Sequence, residues 1–203
     1  MEGELRMGRE GKTGVSTNTP KNVFFGAGTI HKGLSYTSGS GWNFATTCVG
    51  ATNGGSTLTI TPEFYDIPVD GANVPLKGLK QKVGETATLE VNFAELTEDL
   101  IKSSTIAESS TASDDATMNL IKSKPDISDD DYWDNIAFVG KLLDGRNVIA
   151  ILENALCTSG LPVAGTNREG ATIAATFTCH ADITDSTDLD TLPWKIYYPK
   201  PVA

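Results

Sequence analysis

Two histidines and three cysteines are the side chains of this 203-residue chain best suited to nucleophilic or metal chemistry, and their spacing argues against both. His31 lies in a Gly-rich stretch. His180 follows Cys179 at the end of an alternating run, and adjacent residues on a strand point to opposite faces, so the pair cannot act locally as a dyad. Cys48, Cys157 and Cys179 are odd in number and lack paired spacing, which suggests neither a disulfide framework nor a zinc site; reduced, packed thiols are expected. Glu63 and Asp66 have the spacing of a general acid and base, but loop carboxylates are ordinarily just solvated. Asp126, Asp129, Asp130, Asp131 and Asp134 lack the glycine and terminal glutamate of a calcium loop. Gly8, Gly11, Lys12 and Thr13 hint at a phosphate loop, but Arg6 stands where that motif needs glycine, and no strand precedes it. No catalytic residue, metal ligand or cofactor is expected, and the chain does not read as an enzyme.

The elements that would position any site are strands. Thr57, Thr59 and Thr61 alternate with Leu58 and Ile60, the period-two pattern of a half-buried strand. Asp70-Gly71 marks a turn, and the run 77–95 follows with Leu89, Val91 and Phe93 on one face and Thr88, Glu90 and Asn92 on the other. Thr97 then caps a short helix with Glu98 and Asp99 in its first turn, where the helix dipole favours negative charge.

On either side the signals are weaker. Residues 1–20 are polar and Gly-rich and read as a flexible N-terminal arm. Val23, Phe24 and Phe25 begin a strand, with Gly26-Ala27-Gly28 read as a turn. Residues 42–49 alternate weakly as a strand, and Gly50–Ser56 reads as a hairpin turn leading into Leu58. Pro62 and Pro68 demote 62–76 to an edge or projecting loop. Segment 103–131 is an acidic Ser/Asp-rich insertion with a weak helix expected at 114–122. Residues 136–143 and 147–156 form a hairpin about Asp144-Gly145, and the unbroken apolar run Val148–Leu152 implies burial on both faces. Residues 172–180 alternate again, and 194–198 read as a last strand. The whole is mainly β, with residues 21–203 read as one domain.

Charge excludes one class of function. The net charge is −10, and residues 103–131 carry seven acids and two bases, 2 − 7 = −5, or half of it. Such a chain has no cluster of Lys and Arg with which to grip nucleic acid. No apolar run approaches the roughly 20 residues of a membrane helix, and Glu2, Glu4, Arg6 and Arg9 do not make a signal-peptide core, so a cytosolic origin and no membrane partner are expected.

Five segments in order, KNVFFGAG (21–28), LTITPEFYDIPVDGA (58–72), KGLKQKVGETATLEVNFAELTEDLIK (77–102), NVIAILENAL (147–156) and LPWKIYYP (192–199), resemble the major tail, or tail tube, proteins of long-tailed bacteriophages and prophages. The resemblance implies a β-sandwich or barrel flanked by a short α-helix, assembling into hexameric rings that stack into a tube. DNA passes through that tube during genome ejection. It further implies a virion tail location after assembly in the host cytoplasm, with tape measure, tail-tip and tail-terminator proteins as partners. Thr57, Thr59, Thr88, Glu90, Asn92, Thr176 and Thr178 are then the candidates to line the lumen. Pro62, Glu63, Phe64, Tyr65, Asp66, Val69, Asp70 and Val74 are the candidates for contacts between subunits. Segment 103–131 departs from the family pattern. The competing reading is a monomeric β-sandwich binding module, carbohydrate-binding or adhesin-like, which accounts for the short strands and Asp-rich loops but not for the motif order.

Overall fold

The computed structural model describes residues 14–16, 18–163, 170–184 and 189–200, and the chain it shows is mainly β. In order, the elements are α1 (Thr19–Asn22), β1 (Phe24–Lys32), β2 (Tyr36–Thr37), β3 (Gly41–Trp42), α2 (Phe44–Thr47), β4 (Thr52–Asp66) and β5 (Lys80–Phe93). They continue with α3 (Glu98–Thr105), β6 (Ala107–Thr111), β7 (Asn119–Ser123), β8 (Trp133–Leu142), β9 (Asn147–Cys157), β10 (Ile173–Cys179) and β11 (Trp194–Tyr197). Of the expected N-terminal arm, residues 1–13 and 17 lie outside the described residues; 19–22 form the single helical turn α1.

One seven-stranded antiparallel sheet dominates, in the order β1-β8-β9-β10-β5-β4, with β11 paired to β9. It curls so that the chain just ahead of β4 meets β1: Cys48 bridges His31, and Val49 N–H donates to Ile30 O. The alternation in β5 and β10 decides which face is covered. Ala87, Leu89, Val91 and Phe93 pack against Ile173, Ala175, Phe177 and Cys179 in the main core, with Leu58 and Ile60 of β4 along its margin. Trp133 of β8 packs against Phe177, with ring centroids 4.6 Å apart and planes tilted by 39°, and donates its indole N–H to the buried Ser103 Oγ of α3 at 2.7 Å, so the helix is held to the sheet. The Thr97 hydroxyl caps α3 by accepting from Leu100 N–H, as its sequence position leads one to expect.

Strand β9 is buried on both faces. Leu152, Ala155 and Cys157 join the main core, whereas Ile149 and Ile151 form a second cluster with Leu34, Ala137 and Val139, covered by Trp42 and Phe44. At Asn154, φ is 48°, a left-handed conformation that asparagine adopts more readily than most residues. Here β9 exchanges partners, pairing with β11 over 149–152 and with β10 over 155–157. The Asn154 amide donates to His180 O and ties the junction.

Several expectations are corrected. Gly26 and Gly28 are not a turn but a bulge within β1, where the register with β8 shifts between Phe25 and Thr29. A Cβ on Gly28 would stand 2.5 Å from the Phe138 ring, so the glycine admits that side chain. Residues 42–49 are not one strand. Trp42 ends β3, the helical turn α2 follows, and Thr47 Oγ1 donates back to Asn43 O. Gly50–Ser56 is no hairpin, because β4 has already begun at Thr52. The helix expected at 114–122 is instead the hairpin β6-β7, whose connection is fixed by Asp115 accepting from the backbone and hydroxyl of Thr117. Cys48 is exposed, unlike buried Cys157 and Cys179, and His31 is a buried strand residue rather than a loop residue.

Candidate interaction surfaces

The outward face of β4, β5 and β10 carries the polar residues singled out by alternation, and cross-strand register sets them in rows. Thr57, Glu90 and Thr176 lie side by side; Thr59, Thr88 and Thr178 form the next row, and Thr61 pairs with Thr86. Asn92 continues the face along β5, opposite Ala174. Adjacent strands lie about 4.8 Å apart, and same-face residues recur about every 6.7 Å along a strand, so the hydroxyls make a regular grid. Thr158, just past β9, extends it, with its Oγ1 3.1 Å from Thr178 Oγ1. The opposite face is the main core, which holds these strands in register. Glu90 is the ionisable side chain in these rows and is exposed.

The second surface is an arm. β4 and β5 pair from Ser56↔Val91 out to Asp66↔Lys80, but only the inner half has a buried face. Beyond Ile60 and Ala87 the hairpin projects, and Pro62, Glu63, Phe64, Tyr65, Asp66, Val69, Asp70 and Val74 are all exposed. Phe64 is 58 % and Val83 61 % exposed, a large apolar display for an element without packing of its own. β4 ends the strand order, and Pro62 fits such an edge because it has no N–H to contribute to a further ladder. At the tip, Ile67 N–H donates to Leu79 O at 2.8 Å, and the loop around the Asp70-Gly71 turn encloses a shallow hollow of about 310 Å³ lined by Ile67, Pro68, Val69, Val74, Leu76 and Leu79. Lys80 pairs with Asp66 at 3.4 Å and lies over the Phe64 ring.

The titratable side chains are engaged structurally. His31 is 3 % exposed; its ring nitrogens bond Thr29 Oγ1 at 2.8 Å and Thr47 Oγ1 at 3.0 Å, and burial holds its pKa below the ordinary value. This fastens α2 onto β1. Burial pushes the Cys179 thiol up to about 11, which keeps it protonated and unreactive near neutral pH. Of the aspartates between 126 and 134, Asp131 turns inward, ion-pairs with Lys124 and accepts from Ser128 N–H in a reciprocal cap. Among the described residues no three His, Cys, Asp or Glu side chains gather as a metal site, and no helix is long and apolar enough to cross a membrane.

Three features have no local signal in the sequence. Glu85, within the arm's inner half, has a side chain only 7 % exposed and bonds across to the start of β11. Arg146, in the β8-β9 turn, gathers the two ends of the described chain: Nη2 donates to Lys21 O at 3.0 Å and Nη1 to Lys200 O at 2.7 Å, while Nε is held by Asp144. Tyr36, Trp42 and Tyr197 meet edge to face in an aromatic cluster over the second core. Alternation along a strand carries no information about such long-range partners. Compared with known proteins, the chain matches no family model and no curated protein.

Proposed function

We propose that this chain is a structural subunit rather than an enzyme: a phage tail tube protein whose copies form hexameric rings stacked into the conduit for DNA. The observation that carries the reading is the hydroxyl grid on β4, β5 and β10 lying beside the projecting arm, with β4 last in the strand order of the sheet. An open strand edge is the usual means of extending a sheet into a neighbouring chain, with backbone hydrogen bonds supplying affinity. Sheets joined in that way would set the threonine rows of successive subunits side by side around a channel. The arm, polar at its root and apolar at its tip, would reach the adjacent ring. DNA gains affinity for a surface chiefly by exchanging counterions for Lys and Arg, and rows of hydroxyls with a carboxylate offer no such exchange. A channel so lined lets DNA slide.

Within this reading the partners are further copies of the chain, together with tape measure, tail-tip and tail-terminator proteins, and the location is the virion tail. Its test is association in solution. Sedimentation velocity of the intact protein over a range of concentrations should show hexamers or larger polymers. Replacing residues 62–83 by a short Gly-Ser linker should leave a folded monomer that still unfolds cooperatively on heating but forms no polymers, its far-ultraviolet circular dichroism reduced only by the strand residues removed. A monomer at every concentration, for both proteins, would instead favour the binding-module reading, for which the half-exposed Tyr36, Trp42 and Tyr197 cluster would be the contact surface.

A further inference from the structure

The arm changes character at one level. Inside it, Ile60 and Ala87 face the core; outside it, residues 61–66 and 80–83 are exposed. At this boundary lie Pro62, a register shift between Glu63 and Phe64, and Gly84 facing Glu63. A bulge bends a strand and disrupts its ladder, and glycine adds backbone freedom, so a two-stranded ribbon would flex here unless something braced it. The brace is Glu85. Its Oε1 accepts from Leu192 N–H at 3.1 Å and from Trp194 Nε1–H at 3.2 Å, and its Oε2 pairs with Lys82. Leu192 and Trp194 pack against the main core, and Trp194 opens β11, which is paired along β9. One nearly buried carboxylate therefore joins the arm's root to the body at its weakest level.

We infer that Glu85 is the positioning residue of the arm, fixing the direction in which it leaves the sheet through its bonds to Leu192 and Trp194. This rests on the reading of the arm as a contact between subunits, since an arm that must meet a neighbour gains from being held in advance. Preorganisation spares an interface the ordering cost it would otherwise meet on binding. Removing the carboxylate leaves two donors near the core without their acceptor and unties the ribbon at its bulge.

The test is amide hydrogen exchange on the full chain under unassembled conditions, with assembly scored separately by sedimentation. Four variants are compared with the parent: Glu85→Ala, Glu85→Gln, Trp194→Phe and Val91→Ala. Val91→Ala is a core control chosen for a general loss of stability. Local opening sets the exchange rate, so Glu85→Ala should speed exchange over 63–66 and 80–84 by about tenfold or more and leave 87–92 within about threefold. Glu85→Gln keeps an acceptor oxygen and should restore most of the protection. Trp194→Phe, which removes one donor and keeps a ring, should give an intermediate increase and serves if the alanine variant does not fold. Unchanged arm exchange in both Glu85→Ala and Trp194→Phe overturns the inference. So does an increase that spreads equally into 87–92, as in Val91→Ala. If the parent itself never polymerises, the reading as a tube subunit fails, while the exchange result still decides the role of Glu85. A loosened arm with normal polymers would likewise uphold Glu85 as the brace and remove the arm from assembly.

Discussion

Replacing Phe177 by alanine is the sharpest perturbation of the fold. The ring is fully buried at the centre of β10, cross-strand from Leu89 and Cys157 and against Trp133. Trp133 cannot relax into the vacated space freely, because its indole N–H is bonded to Ser103 and its ring carries the Lys32 ammonium 4.6 Å from its centroid. The cavity should therefore remain largely open, which puts the cost in the upper half of the roughly 3–5 kcal/mol measured for such truncations. Loss of the ring pair removes about 0.5–1.5 kcal/mol beyond area, a part of that same total. For a urea dependence of about 2–3 kcal/mol per molar, a loss near 4 kcal/mol should lower the unfolding midpoint by roughly 1.3–2 M. Urea titration followed by tryptophan fluorescence reads this directly, with Phe64→Ala on the exposed arm as a control expected within about 0.5 kcal/mol of the parent. Equal midpoints for Phe177→Ala and the parent would refute the assignment of the inward face of β10.

Two further outcomes follow from charge. Stability should fall with acid in two stages. His31 has a folded pKa below its ordinary 6.5, so the native state is favoured above that value and loses ground as pH falls from there through the lowered pKa; His31→Gln should flatten this stage. Glu85 is lowered chiefly by the Lys82 hydrogen bond, and Asp99 chiefly by the Lys32 hydrogen bond. For Asp131, burial raises the pKa, but bonds from Lys124 and Ser128 outweigh it. These carboxylates add stability above their ordinary values of 4.5 and 3.8 that is lost as pH drops below them, so melting temperature from pH 8 to 3 should show both breaks. On the polar face, a Thr88→Lys/Thr178→Lys pair should still permit polymers but slow genome ejection, more so at low salt, since phosphate binding strengthens as salt falls. Removing the exposed acids Asp114, Asp126, Asp129 and Asp130 should not. Dye uptake by ejected DNA at two salt concentrations separates these, and the opposite ranking would contradict the proposed channel wall.

The strands legible in the sequence are those whose local pattern and tertiary surroundings agree. In β5 and β10 the apolar residues face one core and the threonines face out, so period two was sufficient, and the Thr97 cap needed only its own neighbours. The unbroken apolar run of β9 announced two covers, although not that Trp42 and Phe44 would form one of them. Legibility failed where a distant partner decides. Gly28 looks like a turn residue until Phe138 is seen to need its space. β6-β7 has too few large apolar residues to declare a period, and its turn depends on an aspartate bonding two residues ahead. Glu85 is one of several acids in a polar ribbon, and its meaning lies 107 residues away at Leu192. Thr88, Glu90 and Asn92 share one face of β5 because that grouping is a local property of an alternating strand.

The central claim, that copies of this chain build a tube, is tested most directly by negative-stain electron microscopy of the purified, concentrated full-length protein. Hollow tubes of regularly stacked rings with six-fold end views are expected. Dispersed single particles at every concentration, even with a tail-tip template present, would contradict it.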